Sequence, residues 1–504
     1  MFNKISNTDL LIFSLVVVII AAWSFKLTMF PGLHADEAWF GIRANEINID
    51  GTFRWHGMNH YTGAFQEMLS AASFKIAGKG IFQLRAAGLL CNIIALIFLL
   101  RSLRTLIPNR WITIYFILLL AQSIVWLVYP RIAWEVTSLT LLFFSLSFWS
   151  TLHILKGSNS IYCLFSFFCV HLIGSYNHII FASIPLSILI TILIFGFITS
   201  TLNTKLITLS SLNMVNIAVL FFMMNYRDGF FFEDHLGPSI LILIALVISE
   251  SLIGRNWKFD EIHTNNFNSG KYAVLFKTCL ILGVGIFIWN HGLAFFAYLC
   301  NVKILKHIYS YEYSFLTAIF NIAFVLILLY CILIRSIIDF RYNKLPLIFV
   351  LSYLSIFSLF TTANSPRYYL CISLLFYLYS AYSIYKYPIN SRFKIAILIL
   401  AVFVSQGQLW KIYTDLNYKF IPKYVSFGKT EEPSYHFFPI QPVIDILQFR
   451  QIETVETISN DYFIKIPIQF MENIKPWKKR MGSKVLIDYG ENGDNGGFII
   501  LEKD

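Results

Sequence analysis

The sequence predicts an all-α polytopic membrane protein, and three observations carry that prediction. Of 504 residues, 57% are hydrophobic and only 13% are charged, about half the ~25% charge of a soluble domain. The mean hydropathy is +0.65. Apolar runs long enough to cross a bilayer recur along the whole chain. In hydrocarbon such runs must be helices, because an unpaired backbone amide or carbonyl has no water to bond.

Thirteen spans are predicted: 10–29, 84–100, 111–129, 136–155, 160–174, 179–199, 207–224, 238–254, 273–290, 315–334, 346–361, 369–386 and 394–410. The first follows Lys4 and precedes no small-residue cleavage site, so it reads as a retained signal anchor. Span 160–174 is short, which fits a tilted or re-entrant segment. With the N-terminus inside, the inner loops hold 16 Lys/Arg against 5 Asp/Glu, the outer loops 11 against 10, and the tail beyond 410 holds 12 against 13. Positive charge therefore collects inside. The net +11 is spread over short loops beside the membrane, which argues against a nucleic-acid partner. Cys91, Cys163, Cys169, Cys279, Cys300, Cys331 and Cys371 all lie in or beside apolar runs with no CxxC pair. They read as small hydrophobes, not as disulfides or a zinc knuckle.

The outer side carries the unusual material. Loop 31–83 is far longer than an ordinary connection. Within it, Tyr61 to Ala77 has apolar residues at helical spacing (Phe65, Met68, Leu69, Ala72, Phe74, Ile76), which predicts a helix lying on the membrane surface. Asn290 to Ser314 is amphipathic in the same way. The odd span count puts residues 411–504 outside too. That tail is more polar, with Pro422, Pro433, Pro439 and Pro442, a glycine-rich turn at 490–497 and the strand-like Phe498 to Leu501. It predicts a small C-terminal α/β domain, so the chain divides into a transmembrane domain, 1–410, and an outer domain, 411–504.

The sharpest feature is His34-Ala35-Asp36-Glu37, just beyond the first span. Two adjacent carboxylates at the mouth of a membrane span are costly and read as functional. Either Asp36 or Glu37 is placed to take a proton from an incoming hydroxyl. The plainer alternative is a helix start, where acids complement the free amides and the macrodipole. Next comes Tyr129 to Glu135. Here Arg131 can fork onto a phosphate, Trp134 can face a sugar ring, and Glu135 can orient a hydroxyl; an Arg–Glu pair with an interfacial anchor is the alternative. Arg85, opening the second span, is either a phosphate ligand or a snorkelling anchor. Arg367, beside Tyr368 and Tyr369, has no acidic residue between Asn364 and Tyr369 to pair with it. It suits an anionic headgroup or an interfacial belt. His34, Trp39, Trp55, His56, His60 and Tyr61 are candidates for holding sugar or acceptor. Arg43, Arg54, His178, Arg227, Asp228, Lys303 and Lys306 complete the outer set. The spacing of His34, His56, His60 and His178 matches no metal motif. No cofactor is indicated, and a divalent metal is left open.

Taken together these residues resemble the GT-C glycosyltransferases: a first span followed at once by an acidic pair in a long outer loop, an interface helix, an Arg opening the second span, Arg131-x-x-Trp134-Glu135 after the third, and Arg367-Tyr368 after a late span. The branch in question is that of protein O-mannosyltransferases, lipid A aminoarabinose transferases and related bacterial membrane sugar transferases. The resemblance implies a GT-C fold with interfacial outer-loop helices. It also implies a polyprenyl (undecaprenyl) phosphate sugar as donor and transfer of a hexosyl or pentosyl group at the periplasmic face of the cell inner membrane. By the same resemblance Asp36 is the first-loop catalytic acid with Glu37 as its neighbour, and Glu135 is the acid of the second outer loop. Arg367, Arg131 and Arg85, with Tyr368, hold the donor phosphate and lipid.

The chain departs from the aminoarabinose-transferase pattern around the first acid and lacks the large soluble insertion of the eukaryotic mannosyltransferases. The acceptor therefore stays open as a glycan or lipid of the envelope. Its Ile-, Asn-, Lys- and Phe-rich composition is that of an AT-rich gene, which points toward O-antigen or lipopolysaccharide. Membrane lipids are the remaining partner. A lipid-linked polysaccharide polymerase or ligase, and a transporter or flippase, are the competing readings. A transporter predicts charges at mid-membrane and paired repeats, whereas here charges gather at span ends and no repeat is visible.

Overall fold

The computed structural model describes residues 6–51, 56–59, 61–156, 161–199, 201–202, 281–301, 315–342, 345–361, 365–414, 440–457, 462–479, 481, 483–489 and 498–503, with 213, 216, 262–263 and 278. Among these the chain is predominantly helical and membrane-embedded. Helices Asn7–Ser24 (α1), Ile81–Leu106, Ile281–Leu299 and Phe315–Ser336 are each long and apolar enough to cross a bilayer. Shorter apolar helices include Leu139–Leu155, Ile161–Asn177, Ser183–Thr199, Leu345–Phe360 and Leu370–Lys386. The predicted spans 207–224 and 238–254 lie outside the described residues, so the count of thirteen is not fixed by this structure.

The predicted span 111–129 is not one helix. Arg110–Gln122 and Ile124–Arg131 meet at Ser123 with a bend of 85°. No Pro or Gly causes it. The freed backbone groups are instead met by polar side chains from distant helices, as a break at membrane depth requires. Asn301 Nδ2 and Gln406 Nε2 both donate to the Gln122 carbonyl (3.1 and 3.2 Å), and Asn301 Oδ1 accepts from the Ile124 amide (3.0 Å). The turn after the break delivers Arg131, Trp134 and Glu135 to one end of the bundle.

That end also holds two helices of loop 31–83. Phe65–Ala77 (α3) is the amphipathic helix expected there. Ala35–Asp50 (α2) begins at the acidic tetrad. His34 caps it, its Nδ1 accepting from the Asp36 amide at 3.0 Å. Asp36 and Glu37 in the first turn complement the macrodipole. Gly51, at φ +65°, ends it in the left-handed conformation that glycine adopts without strain.

The described part of the C-terminal region contains helices Ile440–Phe449 and Tyr462–Ile474, and a sheet of Thr454–Thr457, Lys484–Tyr489 and Phe498–Lys503. The first two strands pair in parallel, with Thr454 opposite Lys484; the last two pair antiparallel, with Leu486 opposite Leu501. These elements share an apolar core with loop 31–83. Ile444, Leu447, Ile468, Phe470 and Met471 pack with Leu33, Ala38, Ile42 and Phe74.

Candidate active site

Consecutive helical residues point about 100° apart, so Asp36 and Glu37 face different surroundings. Glu37 turns inward. Its Oε1 accepts from Arg85 Nε (2.7 Å) and from the Ala133 amide (3.0 Å), and its Oε2 from Arg85 Nη2 (2.8 Å). Arg85 also donates to the carbonyls of Leu27, Pro31 and Gly32. Both side chains are 0% exposed. The pair is a sealed clasp between the end of α1, α2, the second long helix and the 129–135 turn. Arg85, expected at the donor phosphate, has its Nε and both terminal nitrogens committed to this clasp. Glu37, expected beside the reaction, is likewise fully buried in it.

Asp36 keeps partial exposure. Its Oδ2 accepts from Arg367 Nη1 at 2.7 Å, with the two side chains 18% and 24% exposed. The sequence shows no nearby acid for Arg367, because its acid lies 331 residues away in the chain. The guanidinium sits 5.0 Å from the Trp134 ring centre and 5.1 Å from that of Tyr368. This aromatic slot holds the fork in place. Trp134 in turn meets the His34 ring edge-on at 4.4 Å, so the cap of α2 and the wall of the slot support each other.

Glu135 and His178 form the neighbouring wall. His178 Nε2 lies 4.0 Å from Glu135 Oε1. The His178 Nδ1 accepts from the Ile180 amide at 3.2 Å, which leaves the ring proton on Nε2, toward the carboxyl. Burial, and then the positive charge of Arg367, push the imidazole down to about 3, so it is neutral. Burial pushes Glu135 up to about 7, with Arg367 partly offsetting it. A carboxyl raised this way holds its proton to higher pH than an ordinary glutamate. Tyr61 stacks edge-on against His178 at 5.4 Å. Burial, with Tyr368 next, raises its hydroxyl to about 12, so it stays a donor.

The other expected residues lie elsewhere. Arg131 is fully buried, donates to the Phe25 carbonyl and stacks over Phe30 at 5.0 Å. It braces the end of α1. Trp39 packs against the main apolar core. His56 lies in a turn with Nδ1 3.1 Å from the Gly57 carbonyl oxygen. Trp55 and His60 are outside the described residues, as are Arg54, Arg227, Asp228, Lys303 and Lys306. Among the described residues, no three His, Cys, Asp or Glu side chains gather as a metal site would require.

One contributor escaped the sequence reading. His291 lies in a π-helical turn, Ile288–Gly292, and is completely buried. Its two ring nitrogens engage the Tyr369 hydroxyl (3.0 Å) and the Thr361 carbonyl (2.9 Å). It thereby steadies the Pro366–Tyr369 turn that presents Arg367. A histidine inside an apolar run was the available signal.

No family model matches the sequence, and no curated protein matches it. Solved structures do. ArnT from Cupriavidus metallidurans bound to undecaprenyl phosphate aligns over 96% of this chain and 94% of its own, with TM-score 0.50 and 10% identity. The Archaeoglobus fulgidus oligosaccharyltransferase in complex with Zn and sulfate aligns over 92% of this chain, with TM-score 0.52 and 14% identity. The chain shares the fold of these two proteins. AglB of Archaeoglobus fulgidus, in complex with an inhibitory peptide and a dolichol-phosphate, shares it at TM-score 0.50 and 13% identity. The chain spans only 62% of the oligosaccharyltransferase's length. Identities this low show a shared fold alone, and the chemistry is argued below from this chain's own residues.

Proposed function

We propose that this protein transfers a glycosyl group from a polyprenyl-phosphate carrier to an acceptor hydroxyl, at the periplasmic face of the cell inner membrane. The observation that carries the reading is the Asp36–Arg367 pair in the Trp134–Tyr368 slot. A base and a phosphate-binding fork meet there at a bundle end, open enough for both to exchange partners. The GT-C fold supports it, as does the undecaprenyl phosphate bound to ArnT. The Lys/Arg bias supports the orientation.

In this mechanism the Asp36–Arg367 pair is the resting arrangement. A donor phosphate takes Arg367 and leaves the Asp36 carboxylate available. Asp36 accepts the proton of the acceptor hydroxyl as its oxygen bonds to the anomeric carbon. The bond from that carbon to the phosphate oxygen breaks, and the carrier departs as polyprenyl phosphate. Its charge is held by Arg367 and the Tyr61 hydroxyl. Glu135 and neutral His178 orient the incoming hydroxyl. Trp134, buried beneath the guanidinium, holds Arg367 in position and is not a sugar platform. Glu37 and Arg85 act as positioning residues, because they fix the helix start that carries Asp36. An envelope glycan or lipid, such as O-antigen or lipopolysaccharide, is the acceptor class.

The test is turnover by purified protein with a polyprenyl-phosphate sugar and an envelope-glycan extract as acceptor. Asp36→Asn is expected to lose about 10²- to 10⁴-fold in rate while remaining folded. Near-normal turnover by that variant overturns the assignment.

A further inference from the structure

The helix Tyr462–Ile474 of the C-terminal region lies directly on α2, the helix that carries Asp36. The contact is unusually close at one point. A Cβ built on Gly41 would overlap the Phe470 ring. The ring has little freedom to yield, for Phe470 is 1% exposed and stacked on Phe74 at 6.4 Å with an interplanar angle of 21°. Ala38 and Ala44, both fully buried, flank the notch one turn to either side. Around this contact the two regions share one core with Ile42, Ile444, Leu447 and Ile468. At the far side of the same seat, the Trp477 indole donates to the Ile452 carbonyl at 2.9 Å, tying the helix to the strand region.

Gly41 is five residues beyond Asp36. That places it about 7.5 Å along the helix and about 140° around it. Phe470 therefore presses α2 from the side nearly opposite the Asp36 carboxylate. The Glu37–Arg85 clasp holds α2 at its start; Phe470 holds it about one turn further on, at Gly41. Together with the packing of α2 on α3 and the Asn48 amide's bond to the Ala71 carbonyl, these two fixings define both the axial position and the rotation of the helix. Rotation is what sets the Asp36-to-Arg367 distance.

We propose that Phe470 is a positioning residue of the active site, and that its seat in the Gly41 notch makes the C-terminal region part of the catalytic mounting. This rests on the glycosyl-transfer reading above. The displacement that matters is small: a misplacement of about 1 Å can cost about 10²-fold in rate.

The experiment is a double-mutant cycle in the full-length protein in detergent, reading kcat and donor KM together with thermal unfolding. Gly41→Ala is expected to lower kcat about tenfold with donor KM within about twofold. Phe470→Leu in the same chain removes the overlapped ring edge and is expected to restore most of the loss, the non-additive result that residues in contact give. A Gly41→Ala kcat within about twofold of the parent, or a double variant no better than the single, overturns the proposal. Should Gly41→Ala not accumulate as folded protein, Phe470→Ala decides. A several-fold fall in kcat per folded molecule supports positioning, and unchanged kcat with only a lowered unfolding temperature overturns it. Asp36→Asn runs alongside. If the parent protein shows no transfer at all, the functional reading has failed; if the parent is active, Asp36→Asn is dead and the Gly41 and Phe470 variants are normal, only this inference has.

Discussion

Asp36 and Glu37 are neighbours in the chain, and each meets an arginine, yet the two pairs are opposites. Glu37–Arg85 has no exposure, binds through two parallel contacts, and adds one amide and three carbonyls. Asp36–Arg367 has one short contact, partial exposure and aromatic faces above and beside the guanidinium. A saturated, dry pair resists exchange, because breaking it strands a buried charge. A single-contact, partly exposed pair can trade one partner for a ligand at lower cost. One peptide unit of helical rotation thus separates a structural clasp from an exchangeable site.

The largest expected effect breaks the clasp. Arg85→Ala leaves Glu37 buried without its counter-ion and should destabilise the protein by about 3–5 kcal/mol. Thermal unfolding in detergent checks it, and an unfolding temperature unchanged in Arg85→Ala would make the two pairs equivalent after all. Arg367→Ala should leave unfolding nearly unchanged but weaken donor use about tenfold to a hundredfold, since each charge-assisted contact contributes roughly 1.5–3 kcal/mol. Arg367→Lys should recover only part, because an ammonium lacks the fork and stacks less well. Donor titrations at matched expression compare them; full recovery by Lys would reduce Arg367 to a membrane anchor.

The smallest effect concerns Glu135, whose folded pKa stands near 7, above its ordinary 4.5, because of burial. Between those values the folded state binds the extra proton, so stability should fall as pH rises from about 4.5 to about 7. Glu135→Gln removes the titrating group and should flatten that slope. Unfolding temperatures of parent and variant at pH 5 and pH 7.5 make the comparison; parallel slopes would mean that Glu135 is not raised.

Much of the fold was legible because membrane helices announce themselves through composition and length. Helix Phe65–Ala77 was read from spacing alone. The break at Ser123 was not, because its cause is spread over Gln122, Asn301 and Gln406, which are far apart in sequence and carry no local signature. The site divides in the same way. Asp36, Arg367, Trp134 and Tyr368 stood out as charges and aromatics at span ends, and they converge. Arg85 and Arg131 stood out for the same reason, yet they are buried. Residue type shows that an arginine needs a partner, and only the fold shows whether protein has already supplied it. Gly41 was silent for the converse reason: its role lies in what packs on it.

The central claim is that donor phosphate replaces Asp36 on Arg367. It makes an unusual demand of Asp36→Asn: the variant should lose transfer yet bind the carrier more tightly, since a competing carboxylate is gone. Equilibrium binding of polyprenyl phosphate to parent and variant measures this directly. A Kd lowered about threefold to tenfold, equivalent to roughly 0.7–1.4 kcal/mol, is the result expected. An unchanged or raised Kd would contradict the exchange of partners on Arg367.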